Sequence, residues 1–281
     1  MAVNAFAIVG AGSLGTAISQ LMPNSVLIGR CEEPPLYKGR SIKNFTRKPE
    51  IMRNSYTVLF CVKAYDQYQT LLEYRRYLNK NQNIILISNG FYQRYFAKRL
   101  LGDLPNVWAG FTTMAAHKTG NSVKLIDKGK FYLAPLSDYP QLLPRFTNLI
   151  IFLCDYSLMS WQKGIANSLI NPLATLFEVK NGDLVQNQPL YNIFGDLYNE
   201  ICSLKFLKRY PDRDELEGML WGTADNYCST LQDFKSGKPC ELPYITGYLL
   251  KQVRKNNCSL PLLSAIYDLV LEKFKNRKKD N

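Results

Sequence analysis

Residues 6–15 of the chain read Phe6-Ala7-Ile8-Val9-Gly10-Ala11-Gly12-Ser13-Leu14-Gly15. The apolar start predicts a buried strand, the glycines a tight turn, and the helical spacing of the apolar residues beyond them a helix. Gly10 permits the sharp turn, Gly12 lets backbone N–H groups approach a pyrophosphate, and Gly15 lets helix and strand pack closely. This order of strand, glycine turn and helix favours a dinucleotide-binding α/β domain over an ordinary turn. The candidate cofactor-binding residues here are Gly10, Gly12, Ser13, Leu14 and Gly15.

Further apolar runs continue this pattern and predict buried strands at residues 25–28, 56–62, 83–88 and 107–111. In a doubly wound parallel sheet, ligands bind outside the carboxyl ends of the strands. We therefore expect the glycine turn, Lys63, Asn89, Thr112 and Thr113 to converge at one edge of the sheet. A hairpin is also predicted from the strands 122–126 and 130–134.

The end of the first domain is less regular. Residues 31–53 allow no assignment. At the end of this domain, a helix is predicted over residues 139–148 and a last strand over residues 149–153. Beyond them the apolar periodicity is helical, over residues 158–177, 190–207, 214–232, 244–253 and 260–274. The predicted fold is a Rossmann-type doubly wound α/β domain over residues 1–155, followed by an all-α domain over residues 156–281.

One arginine bears on the choice of cofactor. The strand 25–28 ends at Gly29-Arg30, where an NAD site usually has an acidic residue for the ribose. An arginine can instead donate two parallel hydrogen bonds to a 2′-phosphate, which favours NADP as the cofactor. Glu32 and Glu33 lie close in sequence, and an ordinary surface arginine is the alternative.

A polar stripe marks the first helix of the second half. Lys163, Asn167 and Asn171 recur every four residues, so they share one face of a mostly apolar helix. A buried polar group without a partner costs about 1–3 kcal/mol. The three side chains therefore face either one another, in a structural network, or a cleft that holds a polar ligand.

Composition limits the function classes. The 281 residues are 46% apolar and 21% charged, with a net charge of +12 that suits anionic partners. No apolar run reaches the ~18 residues of a membrane span, and the first residues lack the basic region of a signal peptide, so we expect a cytoplasmic protein with no membrane partner. The seven scattered cysteines and the single histidine, His117 in a polar run read as a loop, give no disulfide framework, metal site or histidine-based catalysis.

The motifs together resemble the ketopantoate reductase family (2-dehydropantoate 2-reductase), over nearly the whole chain. The residues that carry the resemblance are the glycine turn, Val62-Lys63-Ala64-Tyr65, Ser88-Asn89-Gly90, Thr112-Thr113 with Gly120, Trp161-Gln162-Lys163, Asn167, Ile170-Asn171-Pro172-Leu173, Asn181-Gly182, Ser229-Thr230-Leu231-Gln232-Asp233, and Gly237-Lys238 with Glu241. The resemblance implies reduction of ketopantoate to pantoate with NADPH, on the route to pantothenate and coenzyme A. It implies a monomer or homodimer that acts on a small 2-keto acid.

The resemblance also implies roles for single residues. Lys163 matches the general acid that protonates the ketone oxygen, and Glu241 a glutamate that hydrogen-bonds the substrate hydroxyl and tunes the lysine. The residues that match substrate-binding positions are Asn89, Asn167, Asn171, Asn226 and Ser229. The residues outside the glycine turn that match cofactor-binding positions are Arg30, Lys63 and Asn89.

Departures from the family pattern leave two alternatives open. Phe91-Tyr92 and Thr246 stand where the family has a small residue and an amide, and Gly164 stands where it prefers leucine. A reductase of a different 2-keto acid is therefore one alternative, and a non-catalytic NADP-binding sensor is another. Nucleic-acid binding through the basic surface lacks any recognition motif, so no nucleic-acid partner is expected.

Overall fold

The structure, a computed structural model, describes residues 5–138, 140–144, 146, 148–207 and 210–277. It divides into two compact units, Met1–Tyr156 and Ser157–Asn281. All the described strands belong to the first unit. Within the described part of the chain, no helix combines the length and apolar character needed to cross a bilayer.

The described residues of the first unit form strands and the α-helices α1 to α3. The strands are β1 (Phe6–Val9), β2 (Ser25–Ile28), β3 (Leu36–Tyr37), β4 (Arg40–Ser41), β5 (Phe45–Thr46), β6 (Thr57–Phe60), β7 (Asn83–Ile87), β8 (Val107–Thr112), β9 (Ala115–Thr119), β10 (Ser122–Asp127), β11 (Phe131–Pro135) and β12 (Ile151–Leu153). The helices are α1 (Ser13–Leu21), α2 (Ala64–Tyr74) and α3 (Gln93–Leu100), with 3₁₀ turns at Pro49–Asn54 and Arg75–Tyr77.

Of the strands in the described residues, eight form one sheet in the order β12-β11-β8-β7-β6-β1-β2-β5. Strands β5, β2, β1, β6, β7 and β8 run parallel, whereas β11 is antiparallel to β8. All residues of β1, β2, β6 and β7 are buried, as expected for parallel strands covered on both faces. The strand order reverses at β1, whose neighbours are β2 and β6. This confirms the predicted doubly wound sheet and places its switch point at the glycine turn.

The predicted hairpin between residues 122–126 and 130–134 is wrong. β10 pairs with β9 in a second sheet, of order β4-β3-β10-β9, whereas β11 pairs with β8 in the large sheet. Gly120, with φ +55°, lies in the two-residue turn that joins β9 to β10. In sequence, the β9–β10 hairpin is thus inserted between β8 and β11. Gly129 lies in the segment that connects β10 to β11, where a Cβ would come within 2.5 Å of the Met114 nitrogen.

Two irregular segments also differ from expectation. Residues 31–53 contain three two-residue strands, β3 to β5, and the start of a 3₁₀ turn. The helix predicted over residues 139–148 is absent from the residues described there, and positions 139, 145 and 147 lie outside the described part of the chain. Short strands of this kind depend on their partners, which local sequence does not specify.

The second unit is helical, as predicted. Its helices are α4 (Tyr156–Phe177, beginning at the last residue of the first unit), α5 (Asp183–Gln186), α6 (Gln188–Cys202), α7 (Arg213–Gly222), α8 (Ser229–Lys235), α9 (Thr246–Lys255) and α10 (Pro261–Arg277), with a 3₁₀ turn at Leu242–Tyr244. The single helix predicted over residues 214–232 is in fact α7 and α8. The first ends at Gly222, and the second begins after Cys228, whose sulfur caps α8 by accepting a hydrogen bond from Leu231 N at 3.4 Å.

Helix α4 separates an apolar face from a polar one. Ile165, Leu169 and Leu173 are fully buried in the core of the second unit. The polar stripe that begins at Lys163 is offset from them by two residues, about 200° around the helix. The apolar face therefore packs into the core, and the polar stripe lies on the opposite side of the helix.

The end of α10 is fixed by Arg277, which donates hydrogen bonds to the carbonyl oxygens of Asp233, Phe234 and Lys238 at the end of α8. Its guanidinium also stacks on the rings of Phe234 and Phe274, 5.1 Å from each centroid. We expect Arg277→Ala to lower the free energy of unfolding by about 1–3 kcal/mol, because three carbonyl partners and the stacking are lost.

Urea unfolding measures this effect. The matched control is Arg254→Ala, which removes an exposed arginine and should change stability by less than about 0.5 kcal/mol. Equal stability of the two variants would contradict the clamping role of Arg277.

Candidate functional site

The glycine turn after β1 has the geometry that its sequence predicts. Gly10 adopts φ +113°, and a Cβ there would lie 2.4 Å from the Cys61 carbonyl oxygen at the end of β6. A Cβ on Gly15 would lie 2.0 Å from the Gly10 carbonyl oxygen, so α1 can approach β1 only without a side chain. At Gly12, in contrast, the Cβ position has no atom within 4 Å other than those of adjoining residues in the chain. The exposed backbone there leaves room for a bound group.

The N-terminus of α1 is suited to an anion. Gly12 is its N-cap and provides no side-chain cap, and no acidic residue lies in the first turn. The N–H groups at the start of a helix, together with the helix dipole, attract negative charge. The turn, with Ser13 and Leu14 as its first helical residues, thus fits the pyrophosphate of a dinucleotide.

Lys118, which is not among the residues predicted from sequence motifs, adds a positive charge beside this turn. Its Nζ lies 3.2 Å from the Ala11 carbonyl oxygen, and its side chain extends from β9, in the hairpin that packs on α1. His117, which the sequence placed in a loop, is the exposed neighbour of Lys118 in the same strand. Since 107 residues separate Lys118 from Ala11, no local motif reveals the contact.

Other candidate residues lie at the carboxyl ends of neighbouring strands. Lys63 is the half-buried N-cap of α2, directly after β6, and Asn89 is half-buried after β7. The buried Gln93 fixes this edge, because its Nε2 donates to Leu86 O at 2.9 Å and to Gly110 O at 3.3 Å. Parallel pairing of β8, β7, β6 and β1 places Thr112 and the glycine turn at the same edge.

Arg30 is exposed after β2 and has an acidic partner. Its Nη2 lies 3.4 Å from Oδ2 of Asp66, in the first turn of α2. Glu32 and Glu33 are its acidic neighbours in sequence, but its acidic partner in the structure is Asp66, which is 36 residues away. The candidate 2′-phosphate arginine therefore already has a carboxylate beside it.

The second unit brings Lys163 near Glu241. Burial lowers the pKa of Lys163 from its ordinary 10.5 to about 8, and attraction to the Glu241 carboxylate raises it in part. Glu241 is 2% exposed and precedes the 3₁₀ turn Leu242–Tyr244. A lysine with this pKa holds a proton near neutral pH and releases it readily, as a general acid must.

The two asparagines of the polar stripe differ in burial. Asn167 is half-buried, whereas Asn171 is 4% exposed, and its buried Nδ2 finds no hydrogen-bond partner among the described residues. Cys228 links this part of α4 to α8, since its sulfur lies 3.7 Å from the Asn171 carbonyl oxygen and 3.5 Å from Thr175 Oγ1. An amide N–H of this kind is available to a polar ligand.

Asn226 and Ser229 lie on either side of this link. The backbone N–H of Asn181 donates to Asn226 O at 2.9 Å, and Ser229 is the first residue of α8. Asn181 is a further candidate, because its Nδ2 donates to Thr223 Oγ1 at 3.0 Å while its Oδ1 is buried without a partner in the described structure. Three amides and one hydroxyl thus belong to connected segments of this unit.

Comparison with known families shows what the chain resembles. A family model described as Ketopantoate reductase PanE/ApbA matches residues 36–138, and one described as Ketopantoate reductase PanE/ApbA C terminal matches residues 155–274. The chain is similar to a 2-dehydropantoate 2-reductase of Yersinia pestis, with 30% identity over 248 residues that cover 81% of this chain and 77% of the relative.

Solved structures share the fold at low identity. One is a PanE/ApbA family ketopantoate reductase from Ralstonia eutropha JMP134, with TM-score 0.78, 19% identity, and coverage of 97% of this chain and 99% of that one. Another is D-mandelate dehydrogenase with NADH and anilino(oxo)acetate, with TM-score 0.81, 19% identity, and coverage of 96% and 98%.

The position of Lys118 predicts a uniform effect on dinucleotide binding. We expect Lys118→Met to weaken NADPH and NADH binding by the same factor, about three- to tenfold, because the pyrophosphate beside the glycine turn is common to both. Fluorescence titration of each nucleotide gives the two dissociation constants. Lys124→Met, which removes an exposed lysine of β10, is the control and should change neither. An effect on only one nucleotide would contradict this placement.

Proposed function

Since this chain belongs to the ketopantoate reductase family, we propose that it reduces 2-dehydropantoate (ketopantoate) to pantoate with NADPH, in pantothenate and coenzyme A biosynthesis. Family membership supports the reaction class. The observation that carries the proposal is the half-buried Lys163 close to Glu241, whose pKa burial lowers to about 8, because strongly perturbed pKa values cluster at catalytic sites.

The two parts of the chain have different tasks in this proposal. Residues 1–155 bind the cofactor, through the backbone of the glycine turn, Lys63 and Asn89, and through Arg30 at the 2′-phosphate. When bound, the nicotinamide cofactor supplies the hydride that reduces the ketone carbon. Residues 156–281 bind the substrate and supply the proton.

Lys163 acts as general acid. Its Nζ donates a proton to the ketone oxygen as negative charge develops there, so the product is the 2-hydroxy acid and the lysine is left neutral. Asn167 and Asn171 orient the substrate, and Asn226 and Ser229 hold its carboxylate and hydroxyl. Glu241 accepts a hydrogen bond from the substrate hydroxyl and keeps Lys163 protonated.

A second candidate is the reduction of a different 2-keto acid. The buried Thr246 stands where the family has an amide, and its Oγ1 lacks a partner among the described residues. The loop after β7 carries Phe91, which is buried, where the family has a small residue. These changes alter the contacts available to a substrate, whereas Lys163 itself matches the family pattern.

The role of Lys163 predicts a loss of turnover on its removal. We expect Lys163→Ala to lower kcat about 10²- to 10⁴-fold, because general acid catalysis typically contributes that much, while the dissociation constant of NADPH stays within about twofold. Single-turnover kinetics and nucleotide titration measure the two quantities. Undiminished turnover would remove Lys163 from the mechanism.

The pKa of Lys163 predicts the pH profile. The protonated amine is the donor, so kcat should be constant at low pH and fall as the pH rises through about 8. Glu241→Gln removes the attraction that raises this pKa, and the fall should then begin at lower pH. An unchanged midpoint in Glu241→Gln would show that the limb belongs to another group.

The substrate can be settled by oxidation of NADPH with ketopantoate and with a panel of other 2-keto acids, including phenylglyoxylate. We expect the highest kcat/KM with ketopantoate. Turnover of another keto acid alone would favour the second candidate. Nucleotide binding without any turnover would favour a non-catalytic NADP-binding sensor.

A further inference from the structure

The pair formed by Arg30 and Asp66 lies at the switch point of the sheet. Arg30 follows β2 and Asp66 lies just beyond β6, the two strands that flank β1 and its glycine turn. The guanidinium and carboxylate are 3.4 Å apart, and the side chains are 75% and 41% exposed. Both groups are thus open to solvent and to a ligand at the end of β2.

This pair contributes little to the stability of the fold. An exposed ion pair adds little to the free energy of unfolding, and less at physiological salt. Its effect on a bound anion is different, because Asp66 cancels the local positive charge that Arg30 would present. The position therefore matters more for binding than for folding.

We propose that Asp66 sets the nucleotide selectivity of this chain, by weakening the preference for a 2′-phosphate that Arg30 alone would confer. The inference rests on the proposed function, in which Arg30 meets the 2′ position of the adenosine ribose. A 2′-phosphate carries about −1.5 to −2 charges at neutral pH, so it is attracted by Arg30 and repelled by the adjacent carboxylate.

The same carboxylate suits the unphosphorylated nucleotide. In dinucleotide-binding sheets, an acidic side chain near the end of β2 accepts a hydrogen bond from the ribose 2′-hydroxyl. Asp66 brings such an acid to this region from α2 rather than from the end of β2 itself. Arg30 with Asp66 can therefore accept either nucleotide, and the chain uses NADH as well as NADPH.

Nucleotide binding to the full-length protein, without substrate, tests the proposal. Fluorescence titration gives the dissociation constants of NADPH and NADH for the wild type and for Asp66→Asn. We expect Asp66→Asn to tighten NADPH binding about three- to tenfold, because one repelling charge is removed, and to leave NADH unchanged or weaker. Arg30→Met should weaken NADPH binding only.

The matched control is Glu73→Gln, which removes the same charge from an exposed position on the same helix. It should change the ratio of the two dissociation constants by less than about twofold, since long-range charge effects are screened by salt. Asp66→Asn is an exposed, nearly isosteric change, and an unaltered melting temperature would verify that it folds.

An Asp66→Asn protein with the wild-type ratio of dissociation constants, or with the ratio of Glu73→Gln, would overturn the inference. So would a wild type that binds neither nucleotide. The proposed function is tested separately. If no 2-keto acid is reduced but Asp66→Asn still shifts the ratio of the NADPH and NADH dissociation constants, the inference on selectivity holds and the proposed reaction is contradicted.

Discussion

The approach of α1 to β1 is the contact on which the first unit depends. A Cβ at position 15 would come within 2.0 Å of the Gly10 carbonyl oxygen, so only glycine lets the helix begin so close to the strand end. That approach directs the first N–H groups of α1 toward the switch point, between strands that diverge on either side of β1. The N-terminus of the helix and the Ala11 carbonyl oxygen that Lys118 contacts both lie at this turn.

The second unit faces a different constraint, because a polar stripe must be kept on a helix whose other face is core. The 200° offset between the stripe and the buried leucines lets α4 do both. Where the stripe enters the interior, at Asn171, an amide N–H is left without a partner in the described residues. Folding alone does not favour such a group, and in the proposed function this amide orients the substrate.

The glycine turn, the buried strands and the long helices could be predicted from the sequence, because each depends on nearby residues. The partner of Arg30 could not, since Asp66 is brought to it only by the strand order β6-β1-β2. The wrong hairpin has the same origin. Residues 122–126 and 130–134 have strand character and a turn between them, but the first segment pairs with β9 and the second with β8, in different sheets.

The buried ammonium of Lys163 opposes folding under the conditions in which it serves as a donor. Below about pH 8 the folded and the unfolded chain both carry this proton, so the full penalty of burying the charge is present. Between pH 8 and 10.5 the folded lysine has lost its proton while the unfolded one keeps it, and the penalty fades. This one side chain therefore makes the fold more stable in the pH range in which the protein can no longer protonate a ketone.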